Sequence, residues 1–170
     1  MAERRGPLAR LVGGLAAATE WLAAALLVAM VVVVTLGVVY RYLLGSALVW
    51  YDEFAAYLLV WLTFVGAVGA LYRRRHIGFE LLAERASPRM RRAIALLAEA
   101  AILLFALLLL VHGAELVRRM GDERAVSLVW VRMGWVYAVL PAAGGLMALT
   151  SLFRLVRLLR RGGPQGADRA

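Results

Sequence analysis

Four long stretches of this chain are almost free of charge, and they leave it few ways to fold. Residues 21–40, 54–72 and 133–153 contain no acidic or basic side chain. Residues 100–114 form another such run, interrupted only by His112, with Glu99 before it and Glu115 after it. A bilayer core of ~30 Å is crossed by about 20 helical residues, and each run meets that length, the third when Glu99 and Glu115 sit at opposite interfaces. In lipid, backbone polar groups are satisfied only within helices or closed barrels. The runs are continuous and lack the in–out alternation of barrel strands. They predict an all-α integral membrane protein with four transmembrane helices, at about residues 15–40, 47–72, 89–117 and 130–158. These form one domain over 1–161, and the Gly- and Pro-containing stretch 162–170 reads as a disordered tail.

Composition excludes the main alternatives. Hydrophobic residues make up 64% of the chain, against roughly 45–50% in soluble domains. A soluble domain of this length has no core large enough to hide that share. There is no cysteine, so disulfide frameworks, thiol nucleophiles and thiolate metal sites are excluded. Arg4, Arg5 and Arg10 before the first run resemble the start of a signal peptide. The apolar stretch that follows is longer than the ~7–15 residues of a signal core, so it reads as an uncleaved first helix.

The charges orient the chain. All basic residues are arginines. Fifteen fall in the N-terminal arm, the loop between the second and third spans (residues 73–92) and the C-terminal segment, whereas five (Arg41, Arg118, Arg119, Arg124 and Arg132) fall on the opposite side. The positive-inside rule then places both termini in the cytoplasm. The arginines flank apolar runs, which points to membrane topology and away from nucleic-acid binding. Trp50, Tyr51, Trp130 and Trp135 fit an outer aromatic belt, and Trp21 and Tyr72 an inner one. Within the 73–92 loop, Ile77, Phe79, Leu81 and Leu82 alternate with charged residues. Two readings stay open there, a short helix lying along the interface or a plain solvated loop. Ser87-Pro88 reads as the N-cap and first-turn proline of the next helix.

Few residues are placed to carry chemistry. His76 and His112 fall at opposite ends of the spans, roughly 25 Å apart in depth, so they do not share one haem iron. No acid lies in the middle third of a span, where a coupled carrier needs one. Asp52 and Glu53 fall in the early turns of the second helix if Ser46 caps it, where the helix dipole favours negative charge. Arg41, across the short connection, is their expected partner. Gly66 and Ala67, with Thr63, Gly69 and Ala70, mark a small-residue face on the second helix, and residues 138–148 mark another on the fourth. Such faces let helices approach closely. Pro141 is expected to bend the fourth helix. The run 103–111 reads as a lipid-exposed leucine collar. These features describe a scaffold with no polar pathway and no cofactor or metal site. A membrane anchor of a redox complex is the alternative class, and the mismatched histidine depths count against it.

The order of certain residues is similar to a known family. Arg41-Tyr42, then Trp50 and Glu53, a helix with Trp61, Phe64, Gly66 and Ala67, then His76-Ile77 after a basic turn, resemble the small membrane subunit of tripartite ATP-independent periplasmic (TRAP) transporters. Pro88 before an arginine-rich helix start and Gly134-Trp135-Val136-Tyr137 leading to Leu140-Pro141 also fit, whereas Val131-Arg132 departs from the pattern. The resemblance implies a non-enzymatic subunit that braces a large permease and helps dock a periplasmic solute-binding protein, for sodium-driven uptake of an organic anion. On that reading Arg41, Trp50, Asp52, Glu53, Gly66, Ala67, His76 and Pro141 are the structural and partner-contact candidates, and the remaining partner is membrane lipid.

Overall fold

The computed structural model describes residues 7–46, 48–73 and 87–160. Four long helices and one short one follow in chain order: α1 (Pro7–Leu43), α2 (Tyr51–Arg73), α3 (Pro88–Met120), α4 (Met133–Tyr137) and α5 (Val139–Arg160). Four spans are long and apolar enough to cross a membrane: Ala17–Leu43, Tyr51–Tyr72, Met90–Met120 and Met133–Leu159. The expected four-helix membrane architecture is thus observed. The segment 74–86, where a short interfacial helix or a loop was expected, and the tail 162–170 lie outside the described residues.

Local sequence explains most helix ends. Gly45 takes a left-handed conformation (φ 63°) that turns the chain after α1, and the Ser46 N–H returns to the Tyr40 carbonyl at 3.2 Å. Ser46 therefore closes the end of α1 and does not cap α2, which starts at Tyr51. Asp52 and Glu53 occupy the first turn of α2, where the dipole favours them. Ser87 caps α3 as expected, its Oγ accepting the Met90 N–H at 3.4 Å with Pro88 in the first turn. Pro141 leaves its mark four residues upstream. Without an N–H it cannot bond the Tyr137 carbonyl, so one helix bond is missing where α4 passes into α5, while Ala138 between them keeps helical backbone angles.

The long helices lie side by side in the order α1, α2, α5, α3, each packing mainly on the next. The largest seams are within the two hairpins, α1 with α2 and α3 with α5, and a slimmer seam of α2 with α5 joins them. The buried cluster lies along that join: Val68 and Leu71 from α2, Ala106 from α3, and Ala143, Met147 and Ala148 from α5. A methyl group on Gly144 would lie 2.6 Å from the Leu110 N and 2.9 Å from the Ala106 carbonyl oxygen. One on Gly113 would lie 2.9 Å from the Pro141 N. Backbones of α3 and α5 meet at these glycines with no room for a side chain. Between α1 and α2, the Tyr51 ring lies over Gly37. Broad apolar surfaces stay uncovered on α1 and α3, including Val28, Val31, Leu104, Leu108 and Val111.

Candidate functional site

The polar groups of the described residues gather at the two ends of the helices. At the end carrying the 44–50 and 121–132 connections, Glu53 is the organising residue. Its Oε1 accepts the Val126 N–H at 2.9 Å and its Oε2 the Ser127 N–H at 2.6 Å. The Tyr57 hydroxyl, one turn on along α2, donates to Oε1 at 2.5 Å and lies 3.4 Å from the Met133 sulfur. The 121–132 connection is itself folded. The Arg124 and Arg132 backbones form an antiparallel bridge, Ala125 N–H bonds the Val131 carbonyl at 3.0 Å, and Ala125 and Leu128 are buried. Arg132 lies 3.8 Å from Asp122. The carboxylate of α2 thus ties down a compact loop that displays Val126, Val129 and Trp130 outward, beside the exposed Trp135 of α4.

At the opposite end three helices meet in a buried polar knot. Glu99 of α3 is buried, and the Ser151 Oγ of α5 lies 2.8 Å from both its backbone carbonyl and its Oε2. Arg154, one turn further along α5, lies 3.7 Å from the Glu99 carboxylate. The same guanidinium donates to the Leu71 carbonyl of α2 at 2.7 Å and approaches the Tyr72 carbonyl at 3.4 Å. A cation at a helix C-terminus is favoured by the carbonyls left without amide partners.

The residues singled out from the sequence separate on these contacts. Glu53 is central. Arg41 is not its partner: its guanidinium lies 6.0 Å from the Tyr42 ring centroid, and backbone N–H groups from a connection 73 and 74 residues away hold the carboxylate. Asp52 is exposed on the next face. Trp50 meets Phe54 edge to face, centroids 6.2 Å apart. Gly66 does not sit at a close crossing within the chain, since a side chain there would find nothing within 4 Å. It lines a shallow groove with Thr19, Glu20, Ala23, Gly69 and Ala70 between α1 and α2, and Ala67 is exposed beside it. The small residues that bring helices together are instead Gly113 and Gly144. Pro141 packs against Gly113. His76 lies outside the described residues, and His112 is exposed on α3.

Tyr57, Ser151 and Arg154 were not anticipated, though each carried a signal. Tyr57 stands four residues after Glu53, hence on the same helix face. Ser151 and Arg154 share a face at three-residue spacing, where the apolar run of α5 gives way to its arginines. Within the spans, Thr63 and Thr150 turn back to carbonyls of their own helices, Leu59 at 2.8 Å and Leu146 at 2.7 Å. Among the described residues no three metal-binding side chains converge. The arrangement is suited to holding helices and a loop in place, not to bond chemistry.

Residues 30–161 match the family model for the DctQ component of tripartite ATP-independent periplasmic transporters. The chain belongs to that family. Relatives include the C4-dicarboxylate TRAP transporter small permease protein of Vibrio cholerae, 35% identical over 106 residues, which are 62% of this chain and 46% of that protein. The chain thus spans about half the length of this relative. The sialic acid TRAP transporter small permease protein of the same organism is 26% identical over 79% of each chain. A putative TRAP transporter small permease protein of Haemophilus influenzae is 27% identical over 82% of this chain and 86% of that one. The DctQ family comprises transporter permease subunits and not enzymes. With its four spans, the chain is a multi-pass inner-membrane protein of the TRAP small permease type. Every segment of the structure used above, save the first part of α1, falls within the matched region.

Proposed function

We propose that this TRAP small permease subunit braces a large permease in the membrane and helps dock a periplasmic solute-binding protein, for sodium-driven uptake of an organic anion. One observation carries the bracing role. The helices lie in a row and leave broad apolar faces uncovered, while Thr63 and Thr150 inside the spans bond carbonyls of their own helices and Glu99 and Arg154 face each other in the knot at one end. A protein built this way offers area for a larger helical partner. Gly66 and Ala67, beside a shallow groove, are the contact residues for that partner. The arginine asymmetry supports a topology with both termini and the 73–92 loop in the cytoplasm. In that orientation the loop held by Glu53, with exposed Trp130 and the neighbouring Trp135 of α4, faces the periplasm, where a binding protein approaches. The relatives named for C4-dicarboxylate and sialic acid transport support an organic anion as cargo.

The test is reconstitution. Alone in liposomes the chain transports nothing. With its large permease, a sodium gradient and a loaded binding protein, organic-anion uptake appears, and leaving out the small subunit abolishes it. Uptake by the isolated chain, or uptake that is unchanged without it, overturns the bracing role.

A further inference from the structure

We infer that the chain consists of two stiff helical hairpins, α1–α2 and α3–α5, whose mutual angle is set by two polar clasps at opposite ends of the α2–α5 seam. The inference concerns the chain itself and does not rest on its role in transport.

The starting point is where packing is extensive and where it is slim. Within the first hairpin the Tyr51 ring covers Gly37, and Thr19 meets Gly69. Within the second, Ala106 and Leu110 face Gly144, and Gly113 faces Pro141. The seam between hairpins is the slimmer one, built on Val68 and Leu71 against Ala143, Met147 and Ala148. In lipid, apolar contact of this kind has little orienting force. Acyl chains are as apolar as the side chains they replace, so helices associate through close packing and hydrogen bonds. A slim apolar seam alone leaves the angle between hairpins soft.

Hydrogen bonds are directional, and they stand at both ends of this seam. One clasp joins Glu53 of α2 to the Val126 and Ser127 N–H groups of the connection that follows α3. The other joins the Leu71 and Tyr72 carbonyls of α2 to Arg154 of α5, which faces Glu99, itself bonded by the Ser151 hydroxyl. Residues 53 and 71 are separated along α2 by about 27 Å at ~1.5 Å per residue. Two fixed points that far apart on one helix remove the rotation that a single point leaves free. Each clasp runs from α2 to the α3–α5 hairpin, so both span the join and neither serves only to close a hairpin. With one clasp open, the other becomes a pivot and the hairpins scissor.

The test is spin-label distance measurement on the full chain in lipid nanodiscs, which the absence of cysteine makes direct. One label pair replaces the exposed Trp21 and Leu97, at the Arg154 end, and a second replaces the exposed Leu43 and Trp130, at the Glu53 end. A control pair within the first hairpin replaces Trp21 and Leu59. In the native background all three distributions are narrow. Arg154→Ala broadens the 21–97 distribution roughly two-fold and leaves the 43–130 distribution narrower, and Glu53→Ala does the reverse, as expected for a pivot at the remaining clasp. The control pair is unchanged in both. Arg154→Lys and Ser151→Ala, which keep part of the knot, broaden less, and they keep the test available if a harsher variant does not fold. Native widths at both ends in Glu53→Ala, Arg154→Ala and the double variant overturn the inference. Equal broadening of the control pair overturns it too, because the residues then hold the hairpins themselves and not the angle between them.

Discussion

The Glu53 carboxylate accepts the Ser127 backbone N–H at 2.6 Å, across 74 residues of sequence. An acidic residue in the first turn of a transmembrane helix thereby fixes the shape of a connection on the far side of the chain. Its partners are two backbone N–H groups and the Tyr57 hydroxyl, so what position 53 requires is an acceptor with two oxygens. A simple opposite-charge pairing with Arg41 does not describe it.

This requirement separates Glu53 from its charged neighbours. Glu53→Ala lowers the thermal unfolding midpoint in detergent, Glu53→Gln lowers it less, and Asp52→Ala and Arg41→Ala leave it near the native value. A charge-swapped Arg41→Glu/Glu53→Arg double variant recovers nothing, because an arginine cannot accept from the Val126 and Ser127 N–H groups. Recovery in that double-mutant cycle overturns the assignment.

The glycines divide in the same way. Gly144→Ala places a methyl group against the Leu110 N and the Ala106 carbonyl, so α3 and α5 must separate. Overpacking of this kind costs about 1–3 kcal/mol. Gly66→Ala meets nothing within 4 Å and leaves stability within about 0.5 kcal/mol of native. Equilibrium unfolding in mixed micelles compares the two. Equal effects would show that the α3–α5 crossing is looser than its backbone distances.

Gly66→Leu then isolates the proposed partner surface. The isolated chain keeps its native unfolding midpoint, because the new side chain enters the open groove shared with α1. Co-purification with the large permease is lost, because the bulky group holds a partner helix away. Normal complex yield removes Gly66 from the contact surface.

In the buried knot, severity follows charge. Glu99→Ala removes the carboxylate that lies 3.7 Å from Arg154 in a site where both side chains are mostly covered, and breaking a buried pair from one side costs about 3–5 kcal/mol. Ser151→Ala removes one neutral donor, worth about 1 kcal/mol. Unfolding midpoints of the two variants rank accordingly, and the reverse order rejects the pairing.

Topology is tested by thiol labelling of single cysteines at Ser46, Ser87 and the exposed Val126. With an impermeant reagent on intact spheroplasts, positions 46 and 126 label and position 87 does not. Labelling at 87 alone inverts the orientation.

What the sequence determined by itself is what depends on neighbours along the chain. Uncharged length specifies the spans, Ser87-Pro88 specifies where α3 begins, acids in the first turn suit the α2 dipole, and Pro141 removes one helix bond from the last span because it lacks an N–H. Each is a property of a few consecutive residues and the backbone they belong to. Only the tertiary structure decided that Glu53 bonds the 121–132 connection and not Arg41, that Gly144 and not Gly66 marks the tight crossing, and that Arg154 closes the end of α2. The physical reason lies in the solvent. In water, a helix announces its buried face by hydrophobic contrast. In lipid both faces are apolar, and helix pairing is chosen by close packing and a few directional hydrogen bonds, which no one-dimensional pattern of hydropathy records.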